Sequence, residues 1–279
     1  ENNTRSAQPL LALFPYVTLA PMQRIAHDGL IYYRFESLLG VRHGIFTRLG
    51  GVSQEPFRSL NVGATVGDAP ENVRENRQRL YGEMAVAEES VRTTWQVHGA
   101  EVWVAEGETP QSSPPPQADG IITQRPGLAL AMRFADCVPL LFHDPIRQVV
   151  GIAHAGWPGT LAGIGPATIR AMQQVFGSNP ADIAAGIGPS IGPCCYEVGP
   201  DVVEGVRRAF DGAAETLLKP GKGERLHFDL WAANALALRQ AGVERIEVAN
   251  LCTACHADLF FSHRAEHGRT GRFGAVIVL

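Results

Sequence analysis

The 279-residue chain has no apolar run long enough to span a bilayer, which takes roughly 20 residues as a helix. Charge is sparse as well: Asp, Glu, Lys and Arg make up 19% of the chain and the net charge is −4. Neither a nucleic-acid-binding face nor an anchor on an anionic membrane is expected from such a balance. Cysteine is scarce and odd in number, at five, which excludes a fully paired disulfide framework. A reducing compartment, the cytoplasm, is the expected location. The patch Leu10 to Phe14 is too short, and too weakly preceded by positive charge, to read as a secretory signal. No internal repeat is visible. Ser190 and Ser262 lie outside any Gly-x-Ser-x-Gly elbow, so a serine nucleophile is discounted.

What is present suffices for one large core or two modest ones, because 45% of the residues are hydrophobic. Residues 1 to 24 read as an irregular N-terminal arm and residues 25 to 279 as a single domain. Strands are expected at 30–35, 41–47, 91–97, 100–104, 128–134, 149–155, 183–188, 243–248 and 273–279, from their branched and aromatic content. Asp68-Ala69-Pro70-Glu71 opens a helix expected to stop at Gly82, and Asp229 caps another that closes at Gly242. Helical patterning also covers 201–210 and, with a glycine-broken first half, the stretch up to Phe176. The proline- and serine-rich segment 107–118 is expected to be an excursion between two strands of one sheet system, rather than a domain linker. Strands and helices alternate without a strict βαβ rhythm, which argues for an α+β domain of mixed sheets covered by helices.

Three apolar runs end in a metal-ligating side chain. Val149 to Ala153 leads into His154, Leu128 to Phe134 is followed by Cys137, and Thr93 to Val97 leads into His98. Side by side, these ends would offer two imidazoles and a thiolate to one ion. Zn²⁺ favours such sets, and three protein ligands leave a fourth position open for chemistry. The gaps of 39 and 17 residues give no compact spacing to support this, and Cys137 with His154 would serve equally as thiol nucleophile and base. Asp119 and Asp136 are carboxylates beside these positions, suited either to proton transfer or to orienting a ligand imidazole. Arg48, next to Gly50 and Gly51, sits where a turn brings backbone close to a ligand. Cys252-Thr253-Ala254-Cys255-His256 has haem-attachment spacing without an export context or an axial partner. Cys194-Cys195 would complete a set of four thiols, but adjacent cysteines are awkward ligands.

The motifs together carry a resemblance. They are Phe46-Thr47-Arg48-Leu49-Gly50-Gly51, Ser59-Leu60-Asn61-Val62-Gly63, Asn76-Arg77, Gln96-Val97-His98-Gly99, Ala118-Asp119-Gly120, Ala135-Asp136-Cys137-Val138-Pro139, His154-Ala155-Gly156-Trp157, Ile187-Gly188-Pro189, Tyr196-Glu197-Val198 and Cys252-Thr253 with Phe260-Phe261-Ser262. The chain resembles the YfiH-type purine nucleoside phosphorylase family, once labelled multicopper polyphenol oxidase or laccase-like. The resemblance implies a single-domain α-β-β-α layered sandwich and zinc held by His98, Cys137 and His154. It implies phosphorolysis of adenosine, inosine, guanosine and methylthioadenosine, with purine nucleosides and phosphate as partners, and hydrolytic deamination of adenosine. Asp119, Asp136 and Cys137 become catalytic candidates, and Arg48 and Asn61 substrate-site candidates; Arg48 is expected to place the phosphate. Pro158 departs from the pattern, which usually has arginine there, and Cys255 reads as incidental. Three rivals stand beside this reading. They are copper-dependent phenol oxidation, a cysteine amidohydrolase acting on a cell-wall precursor, and a zinc-stapled binding protein without turnover. A monomer is expected.

Overall fold

The computed structural model describes residues 17–18, 22–106, 114–221 and 223–279. Two large mixed sheets lie face to face. The first contains β1 (Val17–Thr18), β6 (Val102–Val104), β7 (Gly120–Thr123), β9 (Val138–Asp144), β10 (Val149–Ala155), β11 (Ala184–Ile187) and β15 (Arg245–Val248), in the order β1-β15-β11-β9-β10-β7-β6. The second contains β2 (Gln23–His27), β3 (Leu30–Arg34), β4 (Arg42–Phe46), β5 (Val91–Arg92), β8 (Ala129–Phe134) and β16 (Phe273–Val278), in the order β2-β3-β4-β16-β8-β5. A small third sheet joins β12 (Glu197–Val198), β13 (Leu218–Pro220) and β14 (Leu226–Phe228).

The period-two alternation of side chains explains why both large sheets are covered on both faces. In β10, Val149, Ala153 and Ala155 face the helices, while Val150 and Ile152 face the other sheet. In β8, Leu130, Met132 and Phe134 face between the sheets, while Ala129 and Ala131 face outward. The helices α1 (Pro70–Glu83), α2 (Trp157–Ala162), α3 (Ile164–Phe176), α4 (Pro200–Phe210), α5 (Ala214–Leu217) and α6 (Leu230–Gln240) form the outer layers. Ile164, Ile169, Met172 and Leu238 close the core over the first sheet, and Leu80 of α1 joins the core over the second. The result is the expected α-β-β-α sandwich.

Local chemistry accounts for most boundaries and for the departures from expectation. Asp229 Oδ1 accepts the Ala232 N–H at 3.0 Å and caps α6, a contact worth about 1 kcal/mol. Gly163, with φ +78°, separates α2 from α3 where one irregular helix was expected. Asp68 does not cap α1. Ala69 holds that position, and the Asp68 carboxylate instead accepts bonds from Ser53, Asn61 and the Ala69 N–H. The strand expected at 91–97 ends at Arg92; beyond it Trp95 keeps only an isolated parallel bridge to Gln117, and the Val97 and His98 N–H groups turn to a buried carboxylate. Part of the expected arm forms β1, which pairs in parallel with β15, while residues 1–16 and 19–21 lie outside the described residues. Residues 107–113 of the proline-rich segment also lie outside them, but β6 and β7 on its two sides pair directly, as expected for an excursion within one sheet.

His43 gives the fold a pH dependence. Its Nε2 accepts the Phe35 N–H at 2.8 Å, which leaves Nδ1–H to donate to the Val41 carbonyl at 3.1 Å. Burial lowers its pKa to about 4 from 6.5. The unfolded chain therefore binds the extra proton first. The neutral ring stabilises the fold fully above about pH 6.5, and that contribution is lost as the pH falls through 4. Urea unfolding is expected to show stability dropping by about 3 kcal/mol across this window from His43. His43→Gln should flatten that part of the slope; an identical slope in the variant would refute the assignment.

Candidate metal centre and cavity

Strand register assembles the site. β10 pairs with β7 so that Ala153 faces Gly120, which brings Asp119 against His154. β10 also pairs with β9 so that Ala155 faces Val138, which brings Cys137 opposite Gly156. Asp119 is fully buried and binds both sides of the site. Its Oδ1 accepts from His154 Nδ1 at 2.8 Å and from the His98 N–H at 3.0 Å, and its Oδ2 accepts from the Gly99 N–H at 2.7 Å and the Val97 N–H at 3.1 Å. His98 is thus delivered by a loop fastened to Asp119, not by a strand end, and the loop holds it at φ +61°. Burial alone works to raise the Asp119 carboxyl, but its bonds from His154 and the Gly99 and Val97 N–H groups outweigh it, and the net shift is downward. The Asp119 carboxylate fixes one imidazole and one loop.

His98, Cys137 and His154 each offer a ligand atom within 4.8 Å of the others. The fit to a metal rests on three observations. With Nδ1 bound to Asp119, His154 presents Nε2, the usual arrangement for a metal-bound histidine. Burial, with the Asp136 charge, pushes the Cys137 thiol up to about 12, so a thiolate there needs a cation beside it. A Cβ on Gly156 would lie 2.9 Å from Cys137 Sγ and 3.0 Å from His98 Cδ2, so glycine is what keeps the trio open. The three residues are a group that could hold a metal ion, as the strand-end argument expected, though only His154 and Cys137 owe their positions to strand register.

The trio lines a cavity of about 720 Å³, within the range of small-molecule sites. Asp136 lines it too, at φ +78°. Its Oδ1 accepts from Thr253 Oγ1 at 2.6 Å and its Oδ2 from the Arg264 N–H at 2.7 Å. Arg48 and Asn61 do not line the cavity. Arg48 donates to the Arg58 and Ala257 carbonyls and to Glu266 Oε1, and stacks on Phe261. Asn61 is fully buried and joins Gly63, Asp68 and the Arg272 N–H. Both hold loops that reach the cavity; neither faces it.

Other arginines do. Arg77 of α1, Arg133 of β8, Arg264 and Arg272 line the cavity. Arg133 donates to Thr93 Oγ1 and the Thr94 carbonyl, Arg77 to the Val62 carbonyl, and Arg272 to the Thr270 and Gly271 carbonyls. Burial lowers the Arg133 pKa to about 10, with further lowering from Arg77 and Arg272. It remains a cation at neutral pH, in a cluster whose bonds go to neutral oxygens. The signal was present as an arginine interrupting an otherwise apolar strand, Ala129 to Phe134, but the helix-side partner Arg77 is 56 residues away in sequence. Trp95, half exposed, forms another part of the wall. Pro158 also lines the cavity, in the first turn of α2, where proline sacrifices no helical hydrogen bond.

Cys255, expected to be incidental, lies with Cys194, Cys195 and Cys252; their four sulfurs are within 4.8 Å of one another.

The family described as multi-copper polyphenol oxidoreductase laccase matches residues 42–279. Purine nucleoside phosphorylase YlmD of Geobacillus stearothermophilus is 39% identical over 85% of this chain and 90% of its own length. Purine nucleoside phosphorylase YfiH of Escherichia coli is 37% identical over 84% of this chain and 91% of its own length. The crystal structure of the Bacillus licheniformis hypothetical protein YfiH superposes with a TM-score of 0.86 at 37% identity, covering 92% of this chain and 98% of that one. A match over nearly the whole sandwich, together with relatives well above 30% identity, places this chain in the YfiH-type family described as multi-copper polyphenol oxidoreductase laccase.

Proposed function

We propose that the protein is a zinc-dependent purine nucleoside phosphorylase that also deaminates adenosine. The observation that carries this reading is one cavity lined both by the His98, Cys137, His154 group and by the cluster of Arg77, Arg133 and Arg272. Relatives named purine nucleoside phosphorylase support the substrate class. Adenosine, inosine, guanosine and methylthioadenosine are the proposed nucleosides, and the catalytic unit is residues 25–279, acting as a cytoplasmic monomer.

In phosphorolysis, a phosphate oxygen attacks the anomeric carbon while the bond to the purine nitrogen breaks. The purine leaves with a proton and the sugar leaves as ribose 1-phosphate. Arg133, Arg77 and Arg272 bind the phosphate by charge-assisted hydrogen bonds. Trp95 offers a face on which a base can stack. In deamination, water adds at C6 of adenine and ammonia leaves. Asp136, the carboxylate on the cavity wall, takes the proton, and Asp119 acts through His154 and the 97–99 loop. Zinc held by His98, Cys137 and His154 would supply Lewis acidity for charge that develops in the cavity. Arg48 and Asn61, first expected at the substrate, act by fixing the walls. Pro158 stands where the family's pattern usually has an arginine, and Arg264 and Arg133 supply positive charge elsewhere in the lining of the same cavity.

Copper chemistry remains the runner-up, because a His₂Cys set also suits copper. Multicopper oxidation needs several ions on many clustered histidines. Among the described residues, only two histidines belong to a metal-competent group. Amide cleavage by Cys137 and a turnover-free scaffold are the remaining alternatives. Elemental analysis and chromatography of adenosine, with and without phosphate, separate the phosphorylase from copper oxidation and from the two readings without nucleoside turnover; amide cleavage that survives zinc removal distinguishes the amidase from the scaffold. Adenine and ribose 1-phosphate are expected only with phosphate, and inosine in both samples. Zinc-bound protein that leaves every nucleoside intact would overturn the proposal.

A further inference from the structure

The four cysteines that do not touch the cavity come from two distant segments. Cys194 and Cys195 lie in the turn after Gly192, and Cys252 and Cys255 in a second turn about sixty residues later. Cys194 Sγ is 3.5 Å from Cys255 Sγ, and Cys195 Sγ is 3.4 Å from it. Every sulfur of the four lies within 4.8 Å of the others. Four sulfurs in a tetrahedron around zinc, each about 2.3 Å from the ion, stand about 3.8 Å apart. The spacings to Cys255 Sγ of 3.4 and 3.5 Å lie a little below that value, and none in the cluster exceeds 4.8 Å. The Gly192 N–H donates to Cys252 Sγ at 3.2 Å, the kind of bond that steadies a metal-bound thiolate. A Cβ on Gly192 would come within 2.6 Å of the Trp231 ring and 3.2 Å of Cys252 Cβ, so the close approach of the turns depends on that glycine. Being adjacent does not disqualify Cys194 and Cys195, because the turn directs both sulfurs toward Cys255.

We propose that Cys194, Cys195, Cys252 and Cys255 form a second metal site, a tetrathiolate centre for a thiophilic divalent ion of the zinc class. Its place in the fold gives it a consequence. The Ser190–Cys252 bridge and the bond from Thr253 N–H to the Ser190 carbonyl join the two turns. Thr253 also binds Asp136, and Arg264 donates to the Cys195 carbonyl while lying over the Tyr196 ring. Ile191, Tyr196, Asp136 and Arg264 line the cavity. An ion on the four sulfurs therefore staples the wall of the cavity opposite no catalytic atom of its own: it is a structural site that sets the shape of a functional one. Binding releases the thiol protons to solvent and changes no oxidation state.

The test does not depend on nucleoside turnover. Reduced protein loaded with zinc and passed through a desalting column is expected to hold two zinc ions per chain by elemental analysis. Cys194→Ser/Cys255→Ser should hold one, and His98→Ala/Cys137→Ser should also hold one. Cobalt loaded into His98→Ala/Cys137→Ser, whose only thiols are the four of the cluster, should show the intense thiolate-to-metal charge-transfer bands of a tetrathiolate ion. This spectrum decides the matter even if the serine variant fails to fold. Equal zinc content in wild type and Cys194→Ser/Cys255→Ser, or cobalt-loaded protein lacking those bands, would overturn the proposal. So would cysteines that stay as freely alkylated with zinc as without it.

Discussion

Asp119→Asn is expected to lower zinc affinity at the His98, Cys137, His154 group by about 10- to 100-fold, with a comparable loss of nucleoside turnover. The carboxylate accepts from His154 Nδ1 and from three successive backbone N–H groups at 97–99. An amide has one acceptor oxygen and presents N–H donors where the other oxygen stood. Each oxygen accepts two of the four bonds, so two become clashes of donors: at Oδ2 both fall on the loop that carries His98, and at Oδ1 one falls on that loop and one on the His154 imidazole. At least one of the three ligands is thereby loosened by one substitution. Buried anion-to-N–H bonds of this kind contribute about 1.5–3 kcal/mol each, so the melting temperature should fall by several degrees as well. Competition with a chromophoric chelator would measure the affinity, and thermal unfolding the stability. Unchanged zinc affinity in a folded variant would show that Asp119 does not orient the metal-binding residues.

Arg133→Met is expected to raise the KM for phosphate by about 30- to 100-fold, which corresponds to one charge-assisted hydrogen bond of about 2–3 kcal/mol. The KM for the nucleoside and the rate of adenosine deamination should stay within a few-fold of wild type, because neither needs the anion. Arg133 is chosen over its neighbours because Arg77 and Arg272 both depress its pKa, placing it at the centre of the positive cluster. Methionine keeps an unbranched apolar stem like that of arginine without the guanidinium and its charge, which limits packing loss. Arg48→Ala provides the contrast: its guanidinium holds the Arg58 and Ala257 carbonyls and Glu266, so it should lower stability more than it changes phosphate KM. If Arg48→Ala raised phosphate KM and Arg133→Met did not, the anion site would have been placed at the wrong arginine.

The two expectations rest on different kinds of legibility. His154 and Cys137 could be read from the sequence because each ends or follows an apolar strand, and strand register is set by alternation that sequence displays. Asp119 was visible as a carboxylate before Gly120, suited to proton transfer or to orienting an imidazole, but its hold on the 97–99 loop was not, since four groups from two segments meet it only after β7 and β10 pair. His98 was identified for a partly mistaken reason. The apolar run before it pointed to a strand, and the structure instead gives a loop whose N–H groups bind a side chain. Arg48 was singled out from its glycine-rich turn. Glycines there allow backbone to approach protein backbone, Gly51 against Ser59 and Leu60, and local sequence does not distinguish that from approach to a ligand.

By itself the amino-acid sequence determined the α+β class, the two apolar faces of the central strands, the extent of α4, the cap and stop of α6, and the trio of residues able to hold a metal. These depend on interactions within a few residues or on periodicity along one element. Only the tertiary structure decided which arginines face the cavity, which carboxylate is a buried anchor and which lies on the wall, and that four cysteines from two turns share one point. Those facts arise where segments tens to hundreds of residues apart are brought to hydrogen-bonding distance. Such contacts are selected by the packing of whole sheets and carry no periodic mark along the chain.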